Sequence, residues 1–249
     1  MAQERTVVNT PLESIFHWDY SVKFPQMDKL YENAKRDQWN VSTTINWDRP
    51  IEKEVLDMTM MPMFQTELYK SLSEENKYQL GRKFAAWRLS QFLHGEQGAL
   101  MVCGQLVDAV PDLDAKMNAA AQVFDEARHV EGFRKYITKL DRIYPIDPTL
   151  ERLLRAVLEH DRWEPKYVGM QIVAEGLAIA AFRFMQRETK DELHRNPAWA
   201  AAENDMEKQF NSFLFVDTII PCLRQLDLIN DRTESWYQQL GVMQMASAA

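Results

Sequence analysis

The chain has 249 residues, 46% of them hydrophobic, only 8 glycines and a formal net charge of -8, which is apolar material enough for one large domain. The acidic balance excludes a nucleic-acid-binding surface, because neutralising phosphates needs clustered Lys and Arg, and no such stripe occurs. Cys103 and Cys222 are too few for a disulfide framework, the opening "MAQERTVVNTPLESIF" holds no apolar leader, and no run approaches the roughly 18 apolar residues of a membrane span, so the expectation is a cytoplasmic protein away from membranes.

Prolines and apolar spacing divide the chain into long helices, and little alternates strictly enough to be a strand. Residues 1–62 read as an irregular arm packing on the rest, with a short helix near 26–37 and a Trp-rich stretch, "DQWNVSTTINWDRP", as a lid or wrapping segment. Residues 63–249 read as a helical bundle. Ser73 caps a first long helix over 74–108, with acidic residues in its first turn. Pro111 breaks it and opens a second over 112–140, which "YPIDP" ends. A short helix over 148–160 leads to a third long helix over 165–195, and Pro197 starts a fourth, to about 228, bent at Pro221. The fold class is all-α, a four-helix bundle with extra short helices.

The inward stripes carry the chemistry. On the first long helix Glu96 interrupts Leu89, Phe92, Leu93, Leu100 and Cys103. On the second, Glu126 and His129 lie among Val123, Val130 and Phe133. On the third, Glu175 is the one acidic residue of "YVGMQIVAEGLAIAAF". A Glu is almost never fully buried unless it is paired or binds a metal. Residues i and i+3 share a helix face, so Glu126 and His129 can present an oxygen and a nitrogen to one point. Thirty residues separate Glu96 from Glu126, about the path up one helix and back, which sets them at similar depth. Carboxylates with imidazole suit iron or manganese. Asp125 is placed to hydrogen-bond a metal-bound imidazole of a neighbouring helix. Glycines 95, 98, 132 and 176 flank these residues and point to close helix approach or room for a small molecule. His94 sits about 200° around its helix from Glu96, so it reads as packing or surface.

"FLHGEQGAL", "DEARHVEGF" and "VAEGLAIAAF" resemble three parts of the ligand set of the ferritin-like, ribonucleotide-reductase-like di-iron carboxylate superfamily, closest to ferritin-like proteins related to aminobenzoate N-oxygenases. The resemblance covers roughly residues 80–190. It implies two irons that activate dioxygen, with Glu96, Glu126 and His129 serving one, Glu126 bridging, and Glu175 serving the other. It also implies an oxidoreductase, such as a monooxygenase, that oxidises a small-molecule substrate and draws electrons from a donor protein. The pattern demands a second E-x-x-H about thirty residues beyond Glu175, and none follows residue 129. One register of "AAENDMEKQFNSF" puts Asp205 at the bridging ligand position with Lys208 where the histidine belongs; the other faces Met206 and Gln209 to the site. Three outcomes stay open: two metals with an altered ligand set; one metal, with Glu175 and Lys208 forming an ion pair in place of the other; or a degenerate relative with a structural or partner-binding role. Arg128 reads as an ion pair beside the ligands. A homodimer remains an option, with the aromatic arm wrapping a neighbouring copy.

Overall fold

The computed structural model describes residues 6–60 and 62–193. Residues 6–24 run without regular structure into α1 (Pro25–Arg36), α2 (Val41–Thr44), two 3-10 turns and α3 (Glu67–Lys70). Hydrogen bonds lay this arm over the ends of later helices. Thr10 Oγ1 donates to Leu158 O at 2.7 Å, and Ile15 N donates to Asp108 O at 3.0 Å. The buried Asp114 carboxylate accepts the backbone N–H groups of Lys23 and Phe24 at 2.7 and 2.8 Å.

Ser73 Oγ accepts the N–H of Asn76, and Glu74 and Glu75 meet the positive end of the helix dipole, so α4 (Glu74–Ala109) starts where the cap predicts. Its 36 residues span about 54 Å. It stops at Val110, which is extended at φ -69, ψ 143 because Pro111 disfavours helix in the residue before it. The chain reverses at once into α5 (Leu113–Leu140), and the two helices pack antiparallel along their lengths. Asp147 caps α6 (Pro148–Leu158) through Thr149 N at 2.7 Å, with Pro148 at the first position, where its missing N–H costs nothing.

The third long helix is not one rod. It begins as α7 (Trp163–Tyr167), with Pro165 tolerated in the first turn, passes through a π-helical segment (Val168–Ala174), and continues as α8 (Glu175–Glu188). It ends at Glu188 rather than at 195, because Thr189 is extended and bridges Leu56 of the arm, with Asp57 N donating to Glu188 O and Lys190 N to Val55 O. That isolated bridge is the β-structure among the described residues. The expected fourth helix, from Pro197 to about 228, lies outside them.

Two close approaches fix α6 and the π segment against the bundle. A Cβ on Gly98 would lie 2.7 Å from Leu154 Cδ2, and one on Gly169 would lie 2.8 Å from Val157 Cγ2. Around these contacts Val102, Leu106, Val157 and Met170 are buried in one apolar cluster, each contributing about 1.5–3 kcal/mol by leaving water. Lys166 is fully buried beside it, its ammonium donating to Gln105 Oε1, Val157 O and Leu158 O at 2.9, 3.1 and 2.6 Å. The last two are carbonyls at the C-terminus of α6, where a cation also meets the negative end of the helix dipole. Burial lowers the Lys166 pKa to about 8. No helix of the described residues is long and apolar enough to cross a membrane.

Candidate metal centre

Because α4 and α5 both advance 1.5 Å per residue, residues spaced evenly about Asp112 and Leu113, just past Pro111, stand opposite each other. Three layers result. Phe92 stacks on Phe133 with ring centroids 6.2 Å apart, and Phe182 of α8 closes the triad at 4.7 and 6.0 Å. One turn along, Glu96 faces His129. Farther on, Gln122 donates to Gln171 Oε1 at 3.1 Å, and Gln171 Nε2 donates to Cys103 Sγ at 3.3 Å.

The middle layer is the site. Glu96, Glu126 and His129 are 6%, 7% and 7% exposed, although two of the three are carboxylates. His129 Nδ1 lies 3.1 Å from Glu96 Oε2 and 3.1 Å from Glu126 Oε2. One donor atom from each residue falls within 4.8 Å of the others, a grouping that could hold a metal ion. Burial, with the charge of Glu96 added, raises the Glu126 pKa to about 8 against the opposing His129 hydrogen bond. For His129 burial works against the imidazolium, but Glu96 and Glu126 together outweigh it and hold its pKa well above the usual value. Glu175, at the start of α8, also rises to about 8, from burial and then the charge of Glu126. The same burial, with Glu126 and Glu175 behind it, pushes the Cys103 thiol well up, so it stays protonated.

The structure therefore brings Glu96, Glu126 and His129 together and sets Glu175 within electrostatic reach. Asp205 and Lys208 lie outside the described residues, as do Met206 and Gln209 of the other register. Asp125 is turned about 100° from Glu126 on the same helix, toward the arm. Its carboxylate meets the Arg128 guanidinium and Gln38 Nε2, the latter at 3.3 Å, rather than an imidazole. Burial still raises its pKa over the lowering effect of Arg128. Arg128 in turn donates to Trp39 O at 3.3 Å and lies over the Trp39 ring, so it fastens the arm to α5. His94 Nε2 is 2.9 Å from Tyr144 O, a packing role away from the cluster.

A cavity of about 270 Å³ adjoins the cluster. Glu96 and Glu175 form part of its wall, and Phe92, Leu150, Leu153, Leu154 and Met170 are half of its other lining residues. A Cβ on Gly95 would meet nothing within 4 Å, so this glycine leaves room, whereas Gly98 one turn on allows contact. The glycines flanking the ligands pointed to room for a small molecule and to close helix approach, and Gly95 and Gly98 show one of each; sequence reasoning missed the phenylalanine triad as a unit and Gln171. A signal for Gln171 existed: it is the polar side chain one turn before Glu175 in an otherwise apolar stretch.

Antiparallel helices that bring a lone Glu and an E-x-x-H to one buried point, with a third-helix Glu within electrostatic reach, define an all-α, ferritin-like carboxylate protein. A family model described as "P-aminobenzoate N-oxygenase AurF" matches residues 24–190. The chain belongs to this family, which is di-iron dependent and part of the ferritin-like di-iron superfamily. No match is found among curated proteins or solved structures.

Proposed function

We propose that the chain is a non-haem iron oxygenase or oxidase that acts with dioxygen on a small organic molecule. Glu96, Glu126 and His129 hold one ion, and Glu126 with Glu175 contributes to a second. The observation that carries this reading is the buried cluster of two carboxylates and an imidazole, whose donor atoms lie within 4.8 Å of one another. A hard divalent cation of the iron or manganese kind fits that donor set, since it supplies positive charge to the buried Glu96 and Glu126 and the neighbouring Glu175. When bound, iron supplies the activation of dioxygen.

The chain's own residues prepare and enclose the site. His129 gives up its Nδ1 proton to expose the lone pair that faces both glutamates, and Glu126 and Glu175 give up theirs. The Phe92, Phe133 and Phe182 rings shut water out of one side of the ligand layer. On the other side the Gln122–Gln171–Cys103 chain fills the interior without adding a charge. The family's description names oxygenation at the nitrogen of p-aminobenzoate; for this chain the reading extends to oxygen insertion into, or dehydrogenation of, a small molecule, with electrons from a donor protein.

The missing second E-x-x-H favours a second reading, a single ion at Glu96, Glu126 and His129. Metal analysis of the purified protein after anaerobic Fe(II) loading tests both: about two irons per chain supports the first, one the second. Glu126→Ala and His129→Ala should lose iron while far-UV circular dichroism stays helical. Wild-type iron content in either variant overturns the ligand assignment.

A further inference from the structure

We infer that Gln171 is a positioning residue: its amide braces the wide helical turn that leads into Glu175 and so keeps that carboxylate directed at the cluster; this rests on the second ion proposed above. Met170 and Glu175 both line the cavity, although they lie five residues apart. On a regular α-helix that spacing would set them about 140° apart. The π segment removes the conflict. The Glu175 N–H reaches back to Met170 O, five residues away, where an α-helix uses the carbonyl four residues back. The direction of Glu175 therefore depends on this turn staying wide.

Such turns are rare in helices, so contacts from outside the backbone must hold this one. The ends of the third helix are fixed separately, by the Lys166 hydrogen bonds before the segment and by Phe182 against Phe92 and Phe133 after it. Within the segment, VGMQIVA, Gln171 carries the one polar side chain, and it is 5% exposed. Its Nε2 donates to Cys103 Sγ of α4 at 3.3 Å, and its Oε1 accepts from Gln122 Nε2 of α5 at 3.1 Å. Both partners belong to the helices that supply the other ligands: Gln122 lies one turn before Glu126, and Cys103 two turns past Glu96. One amide thus ties the third helix to the other two, a turn away from Glu175.

A leucine at 171 would fill much the same space and hold neither partner. The segment could then tighten toward α geometry and turn Glu175 away, while Glu96, Glu126 and His129 keep their places on α4 and α5. Loss of the brace should therefore separate the two ions, sparing the first and weakening the second.

The test combines anaerobic Fe(II) titration with metal analysis, and hydrogen exchange read by mass spectrometry on iron-free protein. Wild type should bind two ions. Gln171→Leu should weaken the second by about tenfold or more, the scale of two lost hydrogen bonds, at unchanged affinity for the first. Its amides over 168–175 should exchange about tenfold faster while those of α4 and α5 around the cluster do not change. Gln122→Leu should act in the same direction, and adding it to Gln171→Leu should cost little more, because the two share one interaction. Cys103→Ser, which keeps an acceptor for Nε2, should stay close to wild type. Gln122→Leu decides the matter if Gln171→Leu does not fold. Wild-type binding of the second ion in both leucine variants, equal weakening of both ions, or unchanged exchange over 168–175 overturns the inference. A wild-type chain that binds one ion, with faster exchange over 168–175 in Gln171→Leu, overturns the two-ion reading and leaves the brace standing.

Discussion

Glu175→Gln should make the iron-free protein more stable in alkali while weakening its metal site. The folded chain holds the Glu175 proton up to about pH 8, whereas the unfolded chain loses it near 4.5. The folded state thus binds more protons in that window, and stability present below pH 4.5 is lost as pH rises to about 8. At 1.36 kcal/mol per tenfold step, the full loss is about 5 kcal/mol. Glu175 keeps partial exposure, and screening through the cavity reduces the expected figure to about 2 kcal/mol. The neutral isostere escapes this loss. Thermal melts of chelator-treated protein should place Glu175→Gln about 4–8 °C above wild type at pH 9 and within about 2 °C at pH 5. Iron added at pH 8 should raise the wild-type melting temperature more than the variant's. An equal difference between variant and wild type at both pH values, or a variant less stable at pH 9, would refute the electrostatic account of this residue.

Iron loading should weaken as pH falls from 8 to 6, since His129 and Glu126 both hold protons that the metal must displace; pH-stat titration with Fe(II) under argon at pH 7 should release about two protons for an ion at Glu96, Glu126 and His129 and about a third when a second ion engages Glu175, and no release would remove His129 from the ligand set. Gly95→Ala should raise stability by about 1 kcal/mol through helix propensity, because its Cβ meets open space, whereas Gly98→Ala should show no gain, because Leu154 must move to admit it; urea melts of the two would reverse the argument if they ranked the other way. Lys166→Met should cost about 2–4 kcal/mol by stranding Gln105 Oε1 and two α6 carbonyls, and a wild-type urea midpoint would show that those groups find other partners.

Helix boundaries were legible wherever their cause is local. Ser73 and Pro111 stop and start α4 and α5 through neighbouring atoms, and the observed bounds fall within a residue or so of the expected ones. The end of α8 depends on Leu56, far away in sequence, and a local reading ran past it. Glu96, Glu126 and His129 could be grouped from the sequence because helix period and hairpin spacing are arithmetic. The π segment could not, since apolar spacing assumes a uniform turn and the wider one at Val168–Ala174 leaves no residue pattern of its own. Asp125 was assigned by analogy to an imidazole partner, but the Trp39 and Gln38 arm claims that face of α5. Gly95 and Gly98 marked room and close approach beside the ligands, but the size and lining of the cavity depend on the approach of α6, which only tertiary packing supplies.

The hairpin of α4 and α5 works as a ruler with its zero at Asp112 and Leu113, just past Pro111. Removing a single residue between Glu96 and the bend would twist everything before the gap by about 100° and slide it by about 1.5 Å, so the lone glutamate would leave its imidazole and the facing rings would part together. Drift in the length of these two arms is therefore tolerable only when both change alike, and substitutions, not insertions, are the route by which such a centre can be retuned.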